Sequence, residues 1–189
     1  MQCSFLYSFG WRDVIIFGKL RWIGRGVYME FHIRTMQKKD IPQVQHIAKI
    51  SWNHTYEGII PREIQEKFLD SAYNDERMKQ RLNRSFLFVS EADGKIVGFA
   101  NYSPVNEKGE IFLAAIYVYP EYQGKGIGTA LLHEGIKQLE KVRKIFVDVE
   151  KENQIGKTFY TAKGFEKVSE YDEDFEGHIL KTVRMVLTR

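Results

Sequence analysis

The feature that most constrains the fold of this 189-residue chain is a strand–loop–helix pattern in its second half. Residues 110–119, EIFLAAIYVY, are too apolar for a strand with one solvated face, which predicts a central strand. Pro120 ends that strand, and the segment QGKGIG then leads into a helix that is predicted to end near Lys141. Glycines at a helix N-terminus are typical of backbone N–H groups that bind phosphate oxygens. The pattern therefore predicts an anion site held by a central strand and a helix.

The spacing of these glycines excludes two common nucleotide-binding loops. A P-loop requires G-x-x-x-x-G-K-[ST], but Lys125 lies between the first two glycines of this loop. The dinucleotide fingerprint G-x-G-x-x-G follows an early strand, whereas Gly124, Gly126 and Gly128 alternate and lie late in the chain. The loop thus predicts a different phosphate-bearing ligand.

Hydrophobic periodicity and turn signals predict the remaining strands and helices. The predicted strands are 31–36, 85–90, 95–102, 110–119, 144–150, 165–171 and 180–187. The predicted helices begin at Ile41, span about 62–84 with a break near 71–74, follow the glycine loop, and span 153–163. The acidic segment DEDFEG, 172–177, is predicted to be a loop between the last two strands. This order predicts an α+β fold with a mixed sheet, not a doubly wound one.

The first 28 residues differ from the rest in composition. Their excess of basic side chains accounts for the formal net charge of +3, so residues 29–189 are formally neutral. The net charge therefore does not indicate nucleic-acid binding. The apolar run Val14 to Phe17 is too short for a signal peptide or a membrane span. We expect an N-terminal extension over 1–28, either not native or disordered, with translation starting naturally at Met29 and one domain over 29–189. The alternative is an arm that binds a membrane surface or a partner.

Two motifs resemble those of the GNAT family of N-acetyltransferases. Residues 123–128, QGKGIG, match motif A, Q/R-x-x-G-x-G/A, and residues 153–165, NQIGKTFYTAKGF, are similar to N-x-x-A-x-x-F-Y-x-x-x-G-F. The departure is Gly156, where the family usually has alanine; glycine lowers helix propensity by about 1 kcal/mol but leaves room for a ligand. The element order from Met29 to Arg189 also resembles the family fold. That fold has a mixed, mostly antiparallel sheet of about seven strands with helices on both faces, and its fourth and fifth strands splay apart.

The resemblance implies that acetyl-CoA is the co-substrate and that no metal is needed. The glycine loop would bind the pyrophosphate, and the main chain of Ile116 and Val118 would bind the pantetheine arm in the gap between the splayed strands. For Lys125, a solvated surface side chain is an equal alternative to a phosphate contact. The residues implied in binding acetyl-CoA are Ile116, Tyr117, Val118, Gln123, Gly124, Lys125, Gly126, Ile127, Gly128, Thr129, Asn153, Tyr160 and Lys163.

Three of these residues lie on one face of the predicted helix 153–163, since their spacing follows the helical repeat. Asn153 would bond the pantetheine amides, cap the helix, or do both. Tyr160 would be the catalytic acid that protonates the departing thiolate; a packing role is the alternative. Lys163 would contact the adenosine phosphates, or would only complement the helix dipole.

The implied reaction is direct attack of an amine on the thioester, with the Val118 N–H as the donor to the oxyanion. The general base is less defined, because many family members carry a glutamate on the fourth strand where this chain has Phe112 to Ala115. The nearest carboxylate is Glu110, acting through water, and His54 and Glu57 are further candidates. We expect a chain of water molecules to take the proton.

The acceptor pocket is expected between the first helix pair and the last hairpin. Its candidate substrate residues are Trp52, Tyr56, Glu57 and Glu110, and the acidic segment 172–177 would attract a cationic amine. A solvated turn beside a buried tryptophan is the alternative. The region around residues 52–82 is similar to bacterial spermidine/spermine N-acetyltransferases, so a polyamine such as spermidine is the first substrate hypothesis.

Two other functions remain open from the sequence: acetylation of a protein N-terminus or lysine, and a non-catalytic regulator that binds acyl-CoA. The expected partner is a small amine, with no nucleic acid and no membrane, and a homodimer is a further hypothesis. The single cysteine, Cys3, allows no disulfide within the chain and fits a cytoplasmic protein.

Overall fold

The computed structural model describes residues 16–18, 29–139, 141–175 and 177–189. Its strands are β1 Ile16–Gly18, β2 Phe31–Thr35, β3 Phe86–Ala92, β4 Lys95–Tyr102, β5 Glu110–Val118, β6 Lys144–Glu150, β7 Glu166–Phe175 and β8 His178–Thr188. Its helices are α1 Ile41–Tyr56, α2 Arg62–Ala72, α3 Asp75–Arg84, α4 Ile127–Gln138 and α5 Gln154–Ala162, with short 3₁₀ turns at Lys38–Asp40 and Pro120–Tyr122. None of these helices is both long and apolar enough to cross a membrane.

All the strands belong to one sheet in the order β1-β2-β3-β4-β5-β6-β8-β7. Neighbouring strands are antiparallel except β5 and β6, which are parallel. The predicted mixed α+β fold is thus confirmed, and the predicted fourth and fifth strands are β5 and β6. The edge strand β1 comes from the predicted extension. The rest of residues 1–28 lies outside the described residues, so the native start of the chain stays a prediction.

Two apolar clusters hold helices on opposite faces of the sheet, as predicted. On one face, α1 to α3 bury residues such as Val44, Ile47 and Met78 against β3 and β4. On the other face, α4 and α5 bury residues such as Leu131 and Tyr160 against the sheet. The alternation of side chains along the central strands supplies both clusters, because successive residues point to opposite faces.

The polar helix 62–84 is interrupted where a break was predicted. The side chain of Asn74 accepts a hydrogen bond from the Arg77 N–H at 2.9 Å, which caps α3 and separates it from α2. The helix after the glycine loop ends at Gln138, slightly before the predicted Lys141.

The prediction of an acidic loop over 172–177 is wrong, because β7 continues to Phe175 and β8 begins at His178. The Phe175 ring lies 5.6 Å from the Phe68 ring of α2, so packing against the body of the protein holds the strand end in place. The Asp174 carboxylate accepts the Gly177 N–H at 3.0 Å and closes the turn. Asp172 to Asp174 therefore lie on a strand, while Glu176 lies outside the described residues.

Candidate active site

A cleft opens where the parallel strands β5 and β6 separate. Their pairing covers only residues 110–112 and 144–146, ending at Phe112 opposite Phe146. Beyond this point a cavity of about 450 Å³ is lined by β5, β6, the C-terminal half of α1, the start of α4, and α5. The predicted splay of these two strands is therefore present, and the gap is bounded by the helices that carry both sequence motifs.

A bulge in β5 lies at the mouth of the cleft. Asn101 of β4 is opposite Ala115, but the next residue, Tyr102, is opposite Leu113, so Ala114 is an extra residue. Such a bulge bends its strand and redirects the residues beyond it. As a result Leu113 packs with the α4 side and Ala115 with the α1 side. The alanine pair in FLAA gave no signal for this irregularity.

The main chain of Ile116 and Val118 faces the cleft. The Tyr119 N–H donates to the Val97 carbonyl of β4 at 3.1 Å, and bonded and non-bonded pairs alternate along an antiparallel ladder. Tyr117 therefore bonds to β4 as Tyr119 does, whereas the polar groups of Ile116 and Val118 point toward the departing β6. A ligand amide in the cleft can pair with the Ile116 groups as another strand would, and the Val118 N–H also points into the cleft.

The Val118 carbonyl accepts two side-chain hydrogen bonds. The Ser51 hydroxyl of α1 donates to it at 3.1 Å, and the Gln123 side-chain amide donates to it at 3.2 Å. Ser51 also lines the cleft, although the sequence gave no reason to select a serine within an amphipathic helix.

At the other side of the cleft, the glycine loop presents N–H groups that have no hydrogen-bond partner among the described residues. Gly124 and Gly126 have φ values of +72° and +83°, a left-handed region that favours glycine. Gly126 is the N-cap of α4, and no side chain caps it. The first helical bond runs from the Ala130 N–H to Gly126 at 3.0 Å, so the preceding amides of the first turn have no partner within the helix. Together with the helix dipole they form a site for an anion.

Asn153 caps α5 at the cleft wall. Its side-chain oxygen accepts the Gly156 N–H at 2.8 Å, and its side-chain nitrogen lies 3.5 Å from the Tyr56 hydroxyl. Asn153 therefore caps the helix, which was one of its two predicted roles, and its amide NH₂ also borders the cleft. A Cβ at Gly156 would lie 2.9 Å from that nitrogen, so an alanine at this position would shift the Asn153 amide.

Tyr160 lines the cleft from α5 and is only 8% exposed. Burial raises the pKa of Tyr160 well above its usual value, and the nearby Tyr117, Tyr56 and Tyr102 raise it further. None of the described residues hydrogen-bonds its hydroxyl, whereas the Phe159 and Phe165 rings pack around the ring. The hydroxyl is therefore kept protonated and remains available to a ligand.

Aromatic side chains form the α1 end of the cleft, where the sequence placed Trp52 and Tyr56. The Trp52 ring stacks on Phe68 with 4.1 Å between ring centres, and its indole N–H donates to the Tyr117 hydroxyl at 2.7 Å. The Tyr56 ring lies 4.5 Å from the Trp52 ring. Burial raises the pKa of the Tyr117 hydroxyl, so it is neutral when it accepts this bond.

The cleft brings together most of the predicted site residues, but not all of them. Those that line it are Trp52, Tyr56, Ile116, Tyr117, Val118, Gln123, Gly124, Gly126, Ile127, Gly128, Thr129, Asn153 and Tyr160. The ammonium groups of Lys125 and Lys163 instead lie over the rings of neighbouring aromatic residues, Tyr122 at 5.0 Å and Phe159 at 5.9 Å. Neither lysine lines the cavity.

The three proposed base residues lie away from the cleft. Glu110 is at the paired end of β5, and its carboxylate accepts a bond from Asn106 at 3.2 Å. His54 and Glu57 line a second cavity of about 830 Å³ beside His178. Within the described residues, none of these three side chains borders the cavity of the cleft between β5 and β6.

One carboxylate that the sequence prediction did not select, Asp148 of β6, lines the cleft. It lies two residues beyond Phe146, on the same face of the strand, just where the pairing with β5 has ended. The Arg184 guanidinium binds both carboxylate oxygens at 2.8 and 2.7 Å, and the Tyr171 hydroxyl donates at 2.9 Å. The signal that could have identified Asp148 in the sequence is a charged residue within the apolar strand KIFVDVE.

Comparison with known proteins gives a consistent result. The family model described as "Acetyltransferase (GNAT) family" matches residues 45–165. The chain is 32% identical over 152 residues to the spermidine N(1)-acetyltransferase of Thermoplasma acidophilum, covering 76% of this chain and 92% of that protein. It is 28% identical over 141 residues to the peptidyl-lysine N-acetyltransferase YiaC of Escherichia coli, covering 70% and 82%.

A solved structure supports the same result. The crystal structure of the PaiA N-acetyltransferase of T. acidophilum in complex with coenzyme A has a TM-score of 0.72 and 25% identity, covering 84% of this chain and 99% of that chain. The splayed sheet and these matches define an enzyme that transfers an acetyl group from acetyl-CoA to an amine. The chain belongs to the acetyltransferase (GNAT) family. The predicted family and enzyme class are confirmed, while the roles of individual residues and the cytoplasmic location stay predictions.

Proposed function

We propose that this enzyme acetylates a primary amine of a small aliphatic polyamine, with spermidine as the first substrate to test. The observation that carries the proposal is that Asp148 is the only charged side chain lining the cleft among the described residues. Trp52 and Tyr56 line the same cavity, and aromatic faces and carboxylates both attract alkylammonium groups. The relative that is named a spermidine N(1)-acetyltransferase supports the same substrate class.

The ion pair with Arg184 does not prevent Asp148 from binding an ammonium group. Oδ2 accepts from both Arg184 and the Tyr171 hydroxyl, whereas Oδ1 accepts from Arg184 alone and has a second lone pair. Arg184 and Tyr171 therefore fix the orientation of the carboxylate. An ammonium N–H can donate to this lone pair of Oδ1.

The reaction forms a C–N bond and breaks the C–S bond of acetyl-CoA, while the amine loses a proton and the sulfur gains one. The N–H groups of Ile127, Gly128 and Thr129 at the start of α4 hold the pyrophosphate, and the Asn153 side chain faces the pantetheine arm. The Val118 N–H donates to the oxygen that gains negative charge during attack. The proton from the amine leaves through water in the cleft.

Tyr160 acts on the leaving sulfur. Because burial raises its pKa, the hydroxyl holds its proton at neutral pH and is a weaker acid than a thiol with a pKa of about 8.5. Its contribution is therefore a hydrogen bond to the sulfur as negative charge develops, and the departing thiolate takes up a proton from water in the cleft. We expect Tyr160→Phe to lower kcat about 100-fold.

The test measures CoA release with spermidine, spermine, putrescine, an N-terminal peptide and a lysine-containing peptide as acceptors. Wild type is compared with Tyr160→Phe and with Tyr119→Phe, whose hydroxyl contacts His46 at 2.6 Å outside the cleft. A polyamine should give the highest kcat/KM, and only Tyr160→Phe should reduce turnover strongly. Tight binding of acetyl-CoA without turnover of any amine would refute an enzymatic role and favour a regulator.

Acetylation of a protein lysine or N-terminus is the second candidate. The similarity to the peptidyl-lysine N-acetyltransferase YiaC favours it. A peptide acceptor needs space beside the cleft for its backbone, whereas a polyamine needs only a channel. Faster turnover of either peptide than of any polyamine would establish this candidate over the first.

A further inference from the structure

The two side-chain hydrogen bonds to the Val118 carbonyl set it apart on β5. Within the described residues, no other carbonyl of this strand accepts a bond from a side chain. The donors come from different elements, Ser51 from the middle of α1 and Gln123 from the segment before the glycine loop. Ser51 is 3% exposed, so its bond is shielded from water.

The position of Val118 explains why such support is needed. Up to Phe112, β5 is held between two neighbouring strands, but beyond it only β4 remains bonded. The free edge of β5 therefore lacks the restraint that a neighbouring strand normally supplies. Ser51 and Gln123 bond this edge at its far end, where β6 no longer can.

Restraining the carbonyl also restrains the N–H of the same residue. In an extended strand, the N–H and C=O of one residue point to the same side, and for Val118 that side is the cleft. Fixing the carbonyl in two directions limits rotation of the residue about the strand axis. The N–H is then held at a constant position relative to the cavity.

We propose that Ser51 and Gln123 are positioning residues that hold the Val118 N–H where it donates to the oxyanion. The proposal rests on the oxyanion role assigned to this N–H under the proposed function. Gln123 belongs to the glycine motif, and in this proposal its side chain also supports the strand that binds the acyl group. Through Ser51, helix α1, which forms the acceptor end, is bonded to the same point of β5.

The experiment uses the full chain with Ser51→Ala, Gln123→Met and the double substitution. Methionine keeps the length of the glutamine side chain but removes the N–H donor. The matched control is Ser71→Ala, because the exposed Ser71 hydroxyl bonds the Phe68 carbonyl of α2 at 3.0 Å, away from the cleft. The measured quantities are kcat, the KM for acetyl-CoA, the Kd for CoA by calorimetry, and Tm.

We expect each single substitution to lower kcat about 10-fold, less than the loss of a whole oxyanion donor, with the Kd for CoA changed by less than about twofold. The double substitution should lower kcat by about 10- to 30-fold, because both side chains support one group. Ser71→Ala should leave kcat unchanged. Slow hydrolysis of acetyl-CoA without an amine, which passes through the same oxyanion, should fall by the same factors.

Two results would overturn the proposal. One is a double variant whose kcat and hydrolysis rate both stay within about twofold of wild type. The other is a fall in kcat matched by an equal loss of CoA affinity, which would assign both side chains to ligand binding or stability. The hydrolysis assay separates this proposal from the proposed substrate, since it reports on the oxyanion even if no polyamine is acetylated.

Discussion

The two ends of the cleft are built in different ways. The donor end, defined as the glycine loop, the start of α4, and Ile116 to Val118, offers mainly backbone N–H groups to a ligand. The acceptor end, defined as Trp52, Tyr56 and Asp148, offers side chains that come from distant parts of the chain. The first end depends on glycine conformation and strand pairing, whereas the second depends on which side chains the fold brings together.

This difference determines how easily each end of the cleft can change its ligand. A backbone site needs small residues at fixed spacing, because any Cβ or altered φ value moves several N–H groups together. A side-chain site can change its ligand by replacing one residue while the backbone stays as it is. We therefore expect the donor end to fix the use of acetyl-CoA and the acceptor end to select the amine.

The largest expected effect on ligand affinity is at the donor end, from Gly124→Ala. Gly124 and Gly94 have almost the same φ, +72° and +74°, and a Cβ at either glycine would contact nothing within 4 Å. Each alanine should therefore cost about 1 kcal/mol of unfolding free energy through the same backbone strain. Only Gly124→Ala should also raise the Kd for CoA, by about 30-fold, because it disturbs charge-assisted bonds to the pyrophosphate.

Calorimetric titration with CoA and thermal unfolding of both variants check this prediction. Gly94→Ala, in the turn between β3 and β4, measures the effect of strain alone. Equal CoA affinity in the two variants would show that the loop conformation does not control binding, and the contrast between the two ends of the cleft would then fail.

The sequence predicts the two ends of the cleft to different extents, because their interacting groups lie at different distances along the chain. The strand, the glycines and the helix that form the phosphate site are contiguous, so their spacing alone predicts them. Ser51 and Val118 are 67 residues apart, and Asp148 and Arg184 are 36 residues apart. Such contacts depend on strand register and helix packing, which local patterns do not specify.

Two local irregularities show the same limit. The bulge at Ala114 shifts the register of β5 by one residue, yet an alanine pair in an apolar strand carries no turn signal. The acidic segment 172–175 continues β7 although its composition favours a loop, because pairing with β8 and the Phe175 contact outweigh local preference. In both places tertiary packing decides the structure.

A smaller effect is expected at the acceptor end, from Asp148→Asn. Removing the charge that faces the cleft should raise the KM for spermidine about 10-fold, with the KM for acetyl-CoA nearly unchanged. Glu57→Gln is the comparison, since Glu57 was also predicted to bind substrate but lines the second cavity. It should change the KM for spermidine by less than about twofold.

Steady-state kinetics with varied spermidine measure this pair of variants. The opposite pattern, with Glu57→Gln impaired and Asp148→Asn normal, would place the amine in the second cavity beside His54 and His178. The acceptor end would then need a new definition, while the donor end would be unaffected.

The smallest expected effect concerns the lysines near the donor end, with Lys125→Gln and Lys163→Gln. Both ammonium groups lie over aromatic rings and neither lines the cavity, so each adds charge near the phosphates without a defined contact. Each substitution should raise the Kd for CoA about two- to threefold at low ionic strength, and the difference should vanish near 0.5 M salt because exposed charges are screened. Lys95→Gln, an exposed residue at the start of β4, is the control with no expected change. A loss of affinity above about 10-fold that persists at high salt would mean that a lysine side chain, not the backbone, provides the main phosphate contact.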